Sequence, residues 1–210
     1  MTQQLDFWKS DFGIEYGRRA NNRIDSTNIR KLARDWGKIL ARANQPYPTS
    51  ALEVGCNIGR NLAVLKNCID RLHAVEPNAK VCQMLRENPD FSGMVFHEAD
   101  GACLPYDDNS LDLVFTSGVL IHVAPGDLRK VVEEIHRVAR HYIVCIEYFS
   151  HEPMEIPYHG KDGMLFKRDF GAYYLDAFPG LEVLDYGFLW ERFDSSDNSN
   201  WWLFRKAGGQ

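Results

Sequence analysis

The stretch ALEVGCNIGRN, residues 51–61, runs a short apolar strand pattern through Glu53 and into Gly55, Asn57 and Gly59, which are poor residues for continuing a strand. A strand that stops here and resumes as a helix at Gly59 brings backbone N–H groups and a helix N-terminus up to any ligand at the strand's end. Gly55 and Gly59 lack a Cβ and allow close approach, and Asn57 tolerates left-handed backbone better than most residues. The spacing is not the G-x-G-x-x-G of dinucleotide-binding loops, so a pyrophosphate is not the expected ligand. Seventeen residues past Gly59 the next β-like run ends at Glu76 in HAVEPN, where a carboxylate can accept both hydroxyls of a ribose. A third run ends in HEADGACLPY, where Asp100 lies beside small residues and suits the exocyclic amine of an adenine. Three strand ends together describe a nucleoside.

Around this loop, β-like and helical runs alternate: strand 51–54, helix 59–68, strand 72–76, helix 78–87, strand 93–97, strand 111–116, helix 127–137 and strand 142–148. That rhythm predicts a parallel sheet with its ligand beyond the carboxyl ends of the strands. Ahead of it, an aromatic leader precedes DSTNIRKLARDWGKILARA, whose Ile29, Leu32, Trp36, Ile39 and Leu40 share one helix face, with Asp25 or Ser26 as N-cap. After it, residues 150–171 read as an irregular, polar, substrate-facing loop, followed by a helix through Tyr174 to Phe178 and strands near 181–190 and 201–206. The whole is expected to be one domain, 1–210, with residues 1–45 covering the cofactor.

A chain of 210 residues with 45% hydrophobic content can fill one substantial core, and a net charge of -5 argues against a nucleic-acid partner. No long apolar run and no signal-like start appear, so a cytoplasmic protein without a membrane partner is expected. Five widely spaced cysteines without a CxxC suggest neither a disulfide framework nor a metal site.

Taken in order, EVGCNIG, VEPN, EADG and LDLVFTSGVLIHV resemble the class I S-adenosylmethionine-dependent methyltransferases over residues 51–147. FWKSDFGIEYGRRAN, EYFSHEPMEIPYHGKDGMLFKRDFG and DYGFLWERFD resemble a narrower group, the pseudaminic-acid-biosynthesis-associated methylases. The family loop carries glycine where this chain has Asn57. The resemblance implies an α/β, three-layer Rossmann-like methyltransferase fold, with a mostly parallel seven-stranded sheet and a C-terminal antiparallel strand. S-adenosyl-L-methionine is the implied cofactor. Glu53 would orient the loop or meet the methionine amino group, Glu76 beside Pro77 would hold the ribose, and Asp100, Gly101 and Ala102 would frame the adenine. Gly55, Asn57, Gly59, Asn61 and Ser117 would complete the cofactor site. Trp8, Tyr16 and Arg19 would fold over it, Arg19 pairing the methionine carboxylate.

Methyl transfer from a sulfonium is an in-line displacement, so the protein mainly aligns a nucleophile and excludes water. An amine or hydroxyl acceptor needs a base. His122 is the first candidate, because its ordinary pKa lies near neutrality, and Glu147 and Tyr148 come next. A carboxylate acceptor needs none, and Lys167 with Arg168 would clamp it. Tyr158 and His159 lie in the expected loop. Structural readings stand beside these: His122 as a backbone-bonded residue, Asp169 as a helix cap, and Trp201 and Trp202 as packing. The expected reaction is methylation of a small polar molecule in sugar or secondary metabolism. Non-methyl use of the sulfonium and a non-catalytic nucleoside binder are the alternatives.

Overall fold

The computed structural model describes residues 3–17, 24–193 and 197–207. Seven strands form one sheet, in the order β3 (Val95–His97), β2 (Arg71–Val75), β1 (Ser50–Val54), β4 (Leu111–Ser117), β5 (Ala139–Glu147), β9 (Ser199–Lys206) and β8 (Leu181–Leu189). The first five run parallel, and β9 is antiparallel to both β5 and β8. This is the expected three-layer arrangement with one antiparallel C-terminal strand.

β1 and β4 are hydrophobic on both faces because both faces are covered. Ala51, Leu113, Phe115, Tyr142 and Val144 point into one core with α3 (Ser26–Ile39), α4 (Arg60–Leu65) and α5 (Ala79–Glu87). Leu52, Val54, Val114, Ile143 and Cys145 point the other way, onto α6 (Pro125–Val138) and α7 (Phe170–Ala177). The period of two along each strand thus loads both layers.

α3 starts where the sequence places it. Asp25 is its N-cap, its Oδ1 accepting from the amides of Thr27 and Asn28 at 2.9 Å each. Asp25→Ala orphans both donors and is expected to lower unfolding stability by about 1 kcal/mol in urea titration. Asp169 likewise caps α7, accepting from Ala172 N at 2.9 Å. Trp201 is buried and Trp202 half-buried against the second core, as packing residues are.

Two segments differ from the sequence reading. The leader folds into two short helices, α1 (Gln3–Lys9) and α2 (Asp11–Gly17). The segment expected to be irregular contains a β-hairpin, β6 (Met154–Tyr158) paired antiparallel with β7 (Lys161–Lys167). Its two-residue loop, His159-Gly160, has φ of 51° and 74°, the sign that a tight hairpin of this hand requires. Pro157 is tolerated because a two-stranded ribbon leaves outward N–H positions that need no partner.

Candidate active site

The strand-end loop folds as its residue types demand. Gly55, Asn57 and Gly59 take φ of 75°, 44° and 79°, so every second position from 55 to 59 lies in left-handed space. The amides of Gly55 and Cys56 donate to Val75 O at 2.9 and 3.2 Å, tying the loop to β2. A Cβ on Gly55 would meet Val119 at 2.7 Å, and one on Gly59 would meet the Phe91 ring at 2.9 Å. The two glycines therefore serve close packing as well as turning.

Above this loop lies a cavity of about 800 Å³, walled by the carboxyl ends of β1, β2, β4 and β5, by α1 and α2, and by the hairpin. That is room for a ligand of nucleoside size together with a second small molecule. Glu53 is buried in its floor. Its Oε1 accepts from Asn61 Nδ2 at 2.7 Å, and Asn61 Oδ1 accepts from the Trp36 indole at 3.0 Å. Among the described residues Glu53 Oε2 is buried without a hydrogen-bond partner. Burial pushes the carboxyl up to about 8, against the pull of Asn61 and of the Arg60 charge. A cationic or N–H-bearing ligand group would resolve both the vacancy and the raised pKa.

Glu76 is held more tightly. Its Oε2 accepts from Asn57 N and its Oε1 from Asn78 N, both at 2.9 Å, so one side chain fixes the loop and the start of α5. Burial still raises its pKa to about 7. Each oxygen keeps a second lone pair for a hydroxyl donor. Asp100 spends Oδ1 on Ala102 N at 2.8 Å. A Cβ on Gly101 would meet Val131 at 3.0 Å and Val54 at 3.2 Å, so a side chain there would press on both valines. Asp100, Gly101, Ala102, Pro77, Ser117, Asn57 and Asn61 all line the cavity.

The leader closes one side. Trp8 and Tyr16 line the cavity in edge contact, their ring centroids 5.2 Å apart. Asn78 Nδ2 donates to the carbonyls of Trp8 and Ser10 at 3.0 Å each, and Asn57 Nδ2 donates to Gly13 O at 3.2 Å. Arg19, expected at the methionine carboxylate, lies outside the described residues.

Against the leader, His122 sits in the turn after β4, buried and packed between Trp8 and Tyr158 with centroids at 4.8 and 5.0 Å. Its Nδ1 lies 2.7 Å from Met164 O. A carbonyl only accepts, so Nδ1 carries the proton and Nε2 is left as the acceptor. Burial lowers the imidazole pKa to about 4, outweighing the Met164 carbonyl. The ring is a neutral acceptor across the physiological range.

Glu147 is placed differently from the role of a base. It is fully buried and does not line the cavity. Its carboxylate accepts from the amides of Val119, Leu120 and Ile121 at 3.1, 3.0 and 3.3 Å, holding the turn that carries His122. Tyr148 and Tyr158 do line the cavity, and the Tyr148 hydroxyl donates to Asp197. Lys167, Arg168, His159 and Gly59 stand off the wall. Lys167 lies over the Tyr148 ring at 5.2 Å, Arg168 over the Tyr173 ring at 5.2 Å, and His159 is exposed in the hairpin loop.

The cavity also includes Gln4, Asp35, Trp36, Arg60 and Lys130, which the sequence reading did not single out as site residues. Asp35 had a visible signal, since it interrupts the apolar face of α3 between Leu32 and Trp36. Among the described residues no cluster of His, Cys, Asp and Glu could hold a metal ion, and no helix is long and apolar enough to cross a membrane.

Residues 52–145 match the model of a family described as a methyltransferase domain. The matched span runs from β1 to β5 and holds the loop, Glu76, Asp100 and His122. No curated protein matches the chain. Among solved structures, the chain is similar to the 1,6-didemethyltoxoflavin-N1-methyltransferase of Burkholderia thailandensis, crystallised with 1,6-didemethyltoxoflavin and S-adenosylhomocysteine. The TM-score is 0.70 at 17% identity, over 98% of this chain and 91% of that one. It is similar to the magnesium protoporphyrin IX methyltransferase of Synechocystis PCC 6803 with bound SAM, with a TM-score of 0.69 at 14% identity over 99% of both chains. The [4+2]-cyclase SpnF also shares the fold, with a TM-score of 0.61 at 15% identity over 83% of this chain and 80% of that one.

Proposed function

We propose that this chain is an S-adenosylmethionine-dependent methyltransferase acting on a small polar molecule. The observation that carries the reading is the pair of raised-pKa carboxylates, Glu53 and Glu76, on the floor of one cavity at the ends of β1 and β2. Both are buried carboxyl groups with acceptor capacity toward the cavity, which suits hydroxyl and ammonium donors better than a pyrophosphate. The match to a methyltransferase domain over the same strands supports it.

When bound, S-adenosylmethionine supplies an electrophilic methyl group on a sulfonium. Glu76 would accept the ribose hydroxyls, Asp100 would meet the adenine amine, and Glu53 Oε2 would meet the amino group. Trp8, Tyr16 and Tyr158 exclude water from the reacting end. His122 Nε2 takes the proton from the acceptor. A base held near 4 suits an acceptor whose proton turns acidic only as it attacks, such as a hydroxyl or a weakly basic ring nitrogen, better than an alkylammonium. Lys167 and Arg168 do not serve as a clamp for a carboxylate acceptor, because both are off the wall. The narrower sequence likeness to pseudaminic-acid-biosynthesis-associated methylases supports a sugar-derived hydroxyl or amide-like nitrogen.

Calorimetric titration tests the reading. S-adenosylhomocysteine is expected to bind at micromolar concentration, and no heat at high micromolar concentration removes the proposal. The neutral fragment 5′-methylthioadenosine isolates Glu76. The ribose prefers the ionised carboxylate, whereas the empty site is protonated below about 7. Affinity should therefore be level above that pH and fall by up to about tenfold per unit below it, with proton release visible in buffers of different ionisation enthalpy. Non-methyl use of the sulfonium is the rival, and product analysis decides. S-adenosylhomocysteine supports methyl transfer, and methylthioadenosine supports the rival.

A further inference from the structure

The leader touches the hairpin through Phe7, against Lys161, through Phe12, against Tyr158 and His159, and through Gln4, whose contact bears on His122. Gln4, buried in α1, donates its side-chain amide to Gly163 O at 2.6 Å. The next carbonyl along β7, that of Met164, is the one that holds His122 Nδ1. Two planar peptide units meeting at the Met164 Cα therefore connect a leader side chain to the imidazole. Gly163 has φ of 72°, so its backbone conformation is not held by a side-chain preference and depends on its partners, which are Gln4 and the Glu155 carboxylate on its amide.

The same leader is fastened at its other end to the nucleoside end of the cavity. Asn78 holds the carbonyls of Trp8 and Ser10, and Asn57 holds Gly13 O. The backbone amides of these same two asparagines are the donors that grip Glu76. A Cβ on Gly17 would meet Ile58 at 2.3 Å and Asn57 Oδ1 at 2.7 Å, so the end of α2 lies directly on the loop. The contacts form an unbroken path from the Glu76 carboxylate through the asparagines, α1 and Gln4 to the Gly163–Met164 backbone and His122.

We propose that Gln4 is a positioning residue that, through Gly163 and Met164, holds His122 in the Nδ1–H tautomer when the leader is seated over the nucleoside end of the cavity. This rests on the proposed role of His122 as base. The arrangement makes the imidazole a competent acceptor only in the closed enzyme, since a ring carrying its proton on Nε2 has no lone pair to offer there. It also explains a buried glutamine in a helix of seven residues whose other polar side chains face solvent.

The test reads the tautomer directly and needs no acceptor. Long-range ¹H–¹⁵N spectra of the full chain, with His122 assigned through His122→Ala, are compared between wild type and Gln4→Leu. Gln4→Leu keeps much of the bulk but removes the donor. Wild type is expected to show one tautomer, protonated at Nδ1. Gln4→Leu should lose that signature and give nitrogen shifts averaged between the two forms. Asn78→Ala, which releases the leader from the other end, should shift them in the same direction. If Gln4→Leu does not fold, Gln4→Met makes the same comparison. Unchanged single-tautomer shifts in the folded variant overturn the proposal. Adding S-adenosylhomocysteine to wild type separates the two levels. Absence of binding sinks the methyltransferase reading, whereas binding with tautomers identical in wild type and variant sinks the role of Gln4 alone.

Discussion

Glu76→Ala is expected to weaken S-adenosylhomocysteine binding about 100-fold in calorimetric titration. Two losses combine. The ribose forfeits a charged acceptor, which is worth about 1.5–3 kcal/mol for hydrogen bonds to a charged group, or roughly tenfold to 150-fold in affinity. The amides of Asn57 and Asn78 also lose their partner, so the loop that begins α4 and the start of α5 are no longer held in one geometry. Glu76→Gln should fall between variant and wild type, because its amide keeps one acceptor oxygen while its NH₂ opposes the second backbone donor. A Glu76→Ala protein that binds within threefold of wild type would remove Glu76 from the site.

His122→Ala is expected to lower turnover on the acceptor by about 10²–10³ while leaving S-adenosylhomocysteine affinity within about threefold, the size of effect that a positioned proton acceptor gives. His122→Gln is the sharper comparison. Its amide can still donate toward Met164 O and fill part of the ring's volume, yet it is no base. It should share the loss of turnover while retaining more of the stability. The pH profile carries a second signature. With the imidazole neutral above about 4, its protonation should leave turnover unchanged between pH 5 and 8 and should lower it only as the pH approaches 4. Turnover retained in both variants would mean that the ring only packs between Trp8 and Tyr158.

The parts of the site legible in the sequence are those whose chemistry is local. Glu53, Gly55, Asn57 and Gly59 announce a strand breaking into a helix, because no other local structure suits that order of residue types, and three positive φ values follow from it. Glu76 and Asp100 are legible by the same rule, as acids at strand ends. Glu147 suggests a base in the sequence because it too ends a strand. Its actual partners, the amides of residues 119–121, come within reach only because β5 lies beside β4 with Ser117 opposite Ile146. That adjacency belongs to the sheet order and has no trace in the local sequence. The hairpin was hidden by Pro157 and by a His-Gly loop, which bends like the commoner Asn-Gly but lacks its signal. In the sequence Gln4 belongs to the leader and Trp36 to the apolar face of α3, and neither stands out as a site residue. Helical periodicity identifies an apolar face, but it does not say where that face stops meeting the core and starts to wall a cavity. Lys167 and Arg168 show the converse, since a pair of cations attractive in the sequence stays off the wall, turned onto the rings of Tyr148 and Tyr173.

The most direct measurement is a crystal structure of the chain grown with S-adenosylhomocysteine. The account predicts the ribose hydroxyls against the Glu76 carboxylate, the adenine beside Asp100 and Gly101, the amino group at Glu53 Oε2, and the sulfur directed toward His122. Ligand density elsewhere on the molecule, or with its ribose away from Glu76, would contradict it.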